Sequence, residues 1–469
     1  MTSGASRWRS PTLIRRRTVA LATTIFVLSA VAERLLAQPA AGDPLPATTA
    51  EATGFTEASA AASIGSAIFE ADWIPAPDVS DGADGLGPLF NATSCSECHG
   101  RPGSASPGRR SQRVRHILRV AAGVDAAGER SSAPHPDYGR QLQDRAIAGH
   151  IPEGRIAITW VEETLDVGPH QRVQLRLPVI AVENPSRSKF TGGTPISLRR
   201  PLALDGVGLI AAIADADIAA GADPDDADGD GISGRLGVAV DPVTEDTRIA
   251  RFGWKASIVS LAQQTAVAFS LDMGLSSWLA PNQSGDCTQA DRACLSAPHG
   301  GSAAKGGYEV SAREIALIVS YLESLPPPPS ELGSDTGAGR AIFDRIGCAA
   351  CHRPAFKTSS DAAVLHLSDK PVTLYSDLLL HDMGEGLADN LADSVASGQE
   401  WRTTPLWGLS ERLSEIAAGA IDGLLHDGRA RSVEEAVLWH AGEATHARDK
   451  FAALSLANRR RLIAFLSRL

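Results

Sequence analysis

The pattern Cys-x-x-Cys-His occurs twice in this 469-residue chain, as Cys95-Ser96-Glu97-Cys98-His99 and as Cys348-Ala349-Ala350-Cys351-His352. Few short patterns restrict a fold so strongly. Two thiols one helical turn apart can add to the vinyl groups of a haem while the adjoining histidine reaches its iron. A zinc site would need further Cys-x-x-Cys pairs, and the sequence has none. These motifs absorb four of the six cysteines. Cys287 and Cys294, in the polar loop CTQADRAC, are the remaining pair, either a disulfide closing that loop or a redox-active dithiol.

Haem attached through cysteine suits an extracytoplasmic space, and the N-terminus reads the same way. Arg7, Arg9, Arg15, Arg16 and Arg17 precede an apolar run from Thr18 to Ala32, which ends in the small-x-small pattern Ala30-Val31-Ala32. This predicts a signal peptide over residues 1–32 and a periplasmic protein. The run is short for a membrane span, which takes about 20 residues, so no span is expected after cleavage, and an uncleaved anchor is the alternative. The net charge is −11 and no basic stripe appears, which argues against a nucleic-acid partner.

The surroundings of the motifs repeat as well. Gly87-Pro88-Leu89-Phe90 precedes the first, and Gly339-Arg340-Ala341-Ile342-Phe343 precedes the second. Each half closes with an amphipathic helical pattern, Ala312 to Leu325 and Asn458 to Leu469, and Pro326 to Pro329 break the chain between them. The expectation is a mainly α protein of two cytochrome c-like domains, residues 55–325 and 331–469, each with a covalent haem. Within the first, residues from about 150 to 250 form a small β-containing insertion, because Arg155–Val161 and Arg172–Leu177 alternate polar and apolar.

Five strings in order then carry a resemblance: GPLFNATSCSECHGRPG, RFGWKASIVSLAQQ, YSDLLLHDMGEGLAD, EWRTTPLWGL and LLHDGRARSVEEAVLWHAGEA. Together they resemble the di-haem oxidoreductase family described as peroxidases, itself similar to bacterial di-haem cytochrome c peroxidases and to the methylamine-utilisation di-haem enzyme. The resemblance spans roughly residues 80–469. It implies that Trp254 stands between two haems and that Gln264 and Asp272 lie on the distal side of the peroxidatic one. Asp272-Met273-Gly274 stands where those peroxidases carry a glutamate, two residues closer to the glutamine. It also implies that His440 occupies the second axial position of the C-terminal haem, where they use methionine, with Met383 as the other candidate. His116 stands about where some resting peroxidases carry a distal histidine, and an open position is the alternative. His381 and His426 fall in the matching strings and are candidates to line the inter-domain cleft.

One further motif is independent of this. Asp226-Ala227-Asp228-Gly229-Asp230-Gly231 is the front half of a calcium loop, with alternating carboxylates and a glycine at the sixth place. Its twelfth position is Gly237 rather than a bidentate glutamate, so it is not a complete EF-hand.

The sequence thus predicts a periplasmic peroxide-reducing di-haem oxidoreductase. Its haem irons are held by His99, His352 and His440, with calcium at Asp226, Asp228 and Asp230. Electrons come from a small periplasmic cytochrome to the C-terminal haem and pass Trp254 to the N-terminal haem, where Gln264 and Asp272 handle protons. The alternatives are a di-haem electron-transfer cytochrome without catalysis and a thiol oxidoreductase using Cys287 and Cys294.

Overall fold

A computed structural model describes residues 53–77, 83–100, 102, 116–123, 132–167, 172–190, 193–330, 332 and 337–469. The predicted signal peptide lies outside them. Thr56–Leu469 forms the compact unit described below.

Two helix pairs of the same design organise this unit. In the C-terminal half, Gly337–Ile346 leads to the second motif and is crossed by Leu456–Leu466. The crossing is close because Gly339 has no side chain. A Cβ there would lie 2.4 Å from the Arg461 carbonyl oxygen and 2.5 Å from Phe465 Cβ. In the N-terminal half, Thr53–Glu70 is crossed by Ala312–Ser324, and Gly65 plays the same part. A Cβ on Gly65 would lie 1.9 Å from the Leu317 carbonyl oxygen and 2.9 Å from Tyr321 Cβ. Aromatic edges close both crossings, Phe69 on Tyr321 at 5.4 Å and Phe343 on Phe465 at 5.6 Å. The helix starts are set locally, by a Ser311–Glu314 capping box in one half and a Ser455 cap in the other.

The true internal repeat is therefore Gly65-Ser66-Ala67-Ile68-Phe69 against Gly339-Arg340-Ala341-Ile342-Phe343. Gly87 to Phe90 is not the counterpart: Leu89–Phe90 is a short strand paired with Arg145–Ala146. Gly65 stands 30 residues before Cys95, whereas Gly339 stands 9 before Cys348. The extra stretch in the first half holds the strands Ile74–Pro75 and Asp84–Leu86, which pair in parallel.

The expected mainly α fold is corrected. Helix accounts for 32% of the structure and strand for 19%, with seven two-stranded sheets among the described residues. The first motif occupies a helix of only five residues, Cys95–His99, and the second opens on a single 3-10 turn, Cys348–Ala350. Long connections supply the rest. With 44 glycines and 28 prolines they are cut into short ladders and turns instead of extending into helices.

The longest ladder is the hairpin of Arg155–Asp166 and Arg172–Glu183, paired over twelve residues. It runs further than its alternating pattern indicated and joins two cores. Ile156, Ile158, Ile180 and Val182 pack on the small cluster of Leu118, Tyr138, Leu142 and Leu198. At the other end Val167 and Leu175 belong to the C-terminal core with Phe343 and Phe465. Arg176 fastens that end by donating to the carbonyls of Asp422, Gly428 and Arg429. No described helix is long and apolar enough to cross a membrane.

The glycine crossings give a stability test. Gly65→Ala and Gly339→Ala push a methyl into backbone and should each cost about 1–3 kcal/mol. Gly337→Ala, in the same helix as Gly339 with open space around it, should be neutral or slightly stabilising. Thermal unfolding of the three holoproteins checks the order.

Candidate functional site

The two motifs share one cavity. A space of about 1060 Å³ is lined by Cys95, Cys98 and His99 at one end and by Cys348, Cys351 and His352 at the other. Trp254, Gln264, Asp272, Met383 and His440 also line it.

Three of its histidines are oriented in the same way. His99 Nδ1 donates to the Leu202 carbonyl at 3.0 Å, His352 Nδ1 to the Tyr375 carbonyl at 3.0 Å, and His440 Nδ1 to the Ala436 carbonyl at 2.7 Å. A proton fixed on Nδ1 leaves Nε2 as the unprotonated nitrogen, which is what a metal ligand requires. Burial pushes His352 down to about 4, against the pull of its Tyr375 hydrogen bond, and it lowers His440 too. Both rings are therefore neutral at pH 7. Their centroids stand 6.5 Å apart. Two imidazoles bound to one metal from opposite sides, each nitrogen about 2 Å from it, would be separated by roughly this distance. Burial raises the Cys95 and Cys348 thiols to about 12, helped by Asp272 and by Cys351 respectively. These donors fit a covalently held haem at each motif, with an imidazole facing His352.

The N-terminal end is built differently. Helix Leu261–Met273, capped by Ser260, turns Gln264, Ala268 and Asp272 along one face toward the cavity. Asp272 is half-buried, and desolvation raises its pKa while Gln141 and Arg119 pull it down. Gln141 Nε2 donates to Asp272 Oδ1 at 2.7 Å and to Asn91 Oδ1 at 2.7 Å. No sequence pattern marked Gln141, because it lies 131 positions from Asp272.

His116 does not join this site. Its Nε2 donates to the Asp427 carbonyl at 3.0 Å, its Nδ1 lies 3.7 Å from Asp422, and it is absent from the cavity lining. It ties the N-terminal half to the loop before Gly428 instead.

Between the ends lies an aromatic group that sequence reading caught only in part. The Trp254 indole donates to the Arg200 carbonyl at 2.9 Å. Trp401 stands edge-on to Trp254 at 6.4 Å and stacks on His426 at 3.9 Å and 11°. Trp401 was missed, and its strict neighbour is Lys255, whose Nζ sits 4.5 Å over the ring. His381 is held by Asp377 at 2.8 Å and Glu443 at 2.6 Å, with Cys351 Sγ at 3.8 Å. Burial opposes its charge, yet the bonds to Asp377, Cys351 and Glu443 keep its pKa up at about 12. His381 is thus a charged support beside the second motif.

The acidic loop gathers a slightly different set. Ligand oxygens of Asp223, Asp226 and Asp228 lie within 4.8 Å of one another, while Asp230 lines the cavity. Cys287 and Cys294 form a disulfide, which removes the free dithiol from the described chain.

Comparison with known proteins agrees with the haem chemistry. The chain matches the family described as "Di-haem oxidoreductase, putative peroxidase" over residues 164–469. No curated protein matches it. Among solved structures, Kuenenia stuttgartiensis hydrazine synthase pressurised with 20 bar xenon is similar at 19% identity and a TM-score of 0.22. That similarity covers 35% of this chain and 57% of that chain, and at this level it carries no argument. The chain belongs to the di-haem oxidoreductase family.

Proposed function

We propose that this oxidoreductase is a periplasmic peroxide reductase carrying two covalent c-type haems. The observation that carries the reading is the asymmetry of the shared cavity. At one end two neutral imidazoles, His352 and His440, face each other; at the other His99 shares the space with the polar helix face of Gln264 and Asp272. Haem, when bound, would supply one-electron chemistry and a place to break an O–O bond.

The chain's own residues would divide the remaining work. His352 and His440 would hold the C-terminal haem in a closed electron-receiving site, fed by a small periplasmic cytochrome. Trp254 and Trp401 fill the space between the ends and keep water out of the path. His99 would hold the N-terminal haem. Reduction of peroxide to two waters consumes two electrons and two protons, so a group must take a proton and return it. Burial favours the protonated form of Asp272, and Gln141 fixes one carboxyl oxygen, so the other can serve. Gln264, two turns earlier on the same face, can donate to the incoming oxygen. Calcium at the Asp226 loop completes the proposal as a structural ion, supported by three carboxylates within 4.8 Å. Two domains divided at Pro326 to Pro329 and secretion by the 1–32 leader belong to the same proposal.

Three outcomes are expected. In stopped-flow reaction of half-reduced protein with peroxide, wild type oxidises in a fast step that Asp272→Asn slows by about 10²–10⁴-fold with both haems still loaded. A wild type with no fast step leaves only the electron-transfer cytochrome. His440→Met keeps the second haem low-spin and raises its midpoint potential, because thioether favours ferrous iron; an unchanged potential moves the ligand to Met383. Calcium at a hundredfold excess over Kd stabilises wild type by about 2.7 kcal/mol, and Asp226→Ala with Asp228→Ala abolishes the response in a melting experiment.

A further inference from the structure

The cavity is faced by a half-buried arginine whose Nε the protein leaves without a partner. Arg119 lies on strand Ile117–Val120, between the buried Leu118 and Val120, and lines the cavity with Cys95, His99 and Asp272. Its Nε is buried with no hydrogen-bond partner, and among the described residues no carboxylate forms an ion pair with its guanidinium. Arginine stays charged even where burial pulls its pKa down, as it does here. An unpaired buried charge is costly, so a native protein keeps one where something else will pair with it.

The charges around Arg119 show why no side chain does so. Asp272, Asp286 and Asp393 attract it from a distance, and Arg199 repels it. Asp393 is paired with Arg199 at 2.8 Å. Asp286 accepts from the backbone N–H groups of Arg140 and Gln141 at 2.6 and 2.9 Å. Asp272 accepts from Gln141, and its burial favours the neutral acid. Each carboxylate has its own donor, and Arg119 is left facing the cavity.

We propose that Arg119 is the anion-binding residue of the His99 end of the cavity, holding the negative charge of a small oxygen or nitrogen anion beside Asp272. The physiological anion of this class is deprotonated peroxide. The arrangement sets a fixed positive charge beside a carboxyl whose pKa desolvation raises: Arg119 steadies the anion, and Asp272 can pass it a proton. The inference rests on the proposed haem at His99, but not on turnover.

Azide is the probe. Optical titration of the oxidised and half-reduced holoprotein with azide, with the two-haem content checked first, reads binding at the first haem. Arg119→Leu should weaken azide binding by roughly 10–100-fold, the worth of a charge-assisted hydrogen bond, and Arg119→Lys should recover part of it. Both variants should keep their far-UV circular dichroism. Should Arg119→Leu shift the first haem's midpoint potential while azide affinity stays the same, Arg119 pairs with a haem carboxylate and the proposal falls. A wild type that binds no azide in either redox state overturns it as well. The peroxide step of wild type is measured separately, so loss of the peroxidase reading would be visible as a protein that binds azide through Arg119 without reducing peroxide.

Discussion

The middle of this protein depends on one buried charge. Lys255 is wholly inaccessible, so its ammonium must be met by oxygen atoms or the fold would bear an uncompensated ion. Asp389, the Leu391 carbonyl and the Ser397 carbonyl meet it at 2.8, 2.9 and 2.7 Å. Those three oxygens belong to the C-terminal half, whereas Lys255 comes from the N-terminal half. The segment from 389 to 402 therefore has to wrap the ammonium. Wrapping it brings Trp401 under Nζ and lets the Arg402 backbone N–H donate to the Trp254 carbonyl at 3.0 Å. Burial lowers the Lys255 pKa to about 8 in spite of Asp389, which shows how far the site is removed from water. The same contacts that neutralise one charge also hold the two tryptophans of the cavity.

Much of the chemistry was legible because it is local. The Cys-x-x-Cys-His motifs state their ligand spacing within five residues, and Cys287 and Cys294 reach each other across seven. The helix face carrying Gln264 and Asp272 is likewise a matter of helical period. Gln141, Arg119 and Lys255 were invisible for the opposite reason. Their roles come from groups distant in the sequence, such as Asp272 for Gln141 and Asp389 for Lys255, and nothing in their own neighbourhoods departs from an ordinary strand or loop.

The repeat shows how a correct idea can take the wrong register. Two glycine-to-phenylalanine segments precede the first motif, and Gly87 to Phe90 lies nearer to Cys95. Helix packing selects the farther one. Only Gly65 meets a crossing helix backbone as Gly339 does, at a carbonyl four residues before an aromatic: Leu317 before Tyr321, and Arg461 before Phe465. Sequence distance to the cysteines failed because the first half inserts a paired-strand excursion just where the second half turns directly into its motif. That excursion, and the hairpin that spans two cores, are also why a helical reading of the whole chain overstated its helix content.

The asymmetry of the cavity follows from those departures. In the C-terminal half, the Val433–Trp439 helix ends at His440 and delivers an imidazole opposite His352. Among the described residues of the N-terminal half, no equivalent helix delivers a histidine to His99. The strand Ile117–Val120 and the helix Leu261–Met273 occupy that side instead, contributing Arg119, Gln264 and Asp272. His116, one residue before this strand, has both ring nitrogens directed at Asp427 and Asp422. Its imidazole is thereby spent on joining the halves. A site closed by a second neutral imidazole suits electron storage, and a site walled by a cation, an amide and a carboxyl suits a small reactive anion. The proposed division of labour between two otherwise repeated motifs thus comes from what each half packs opposite its histidine.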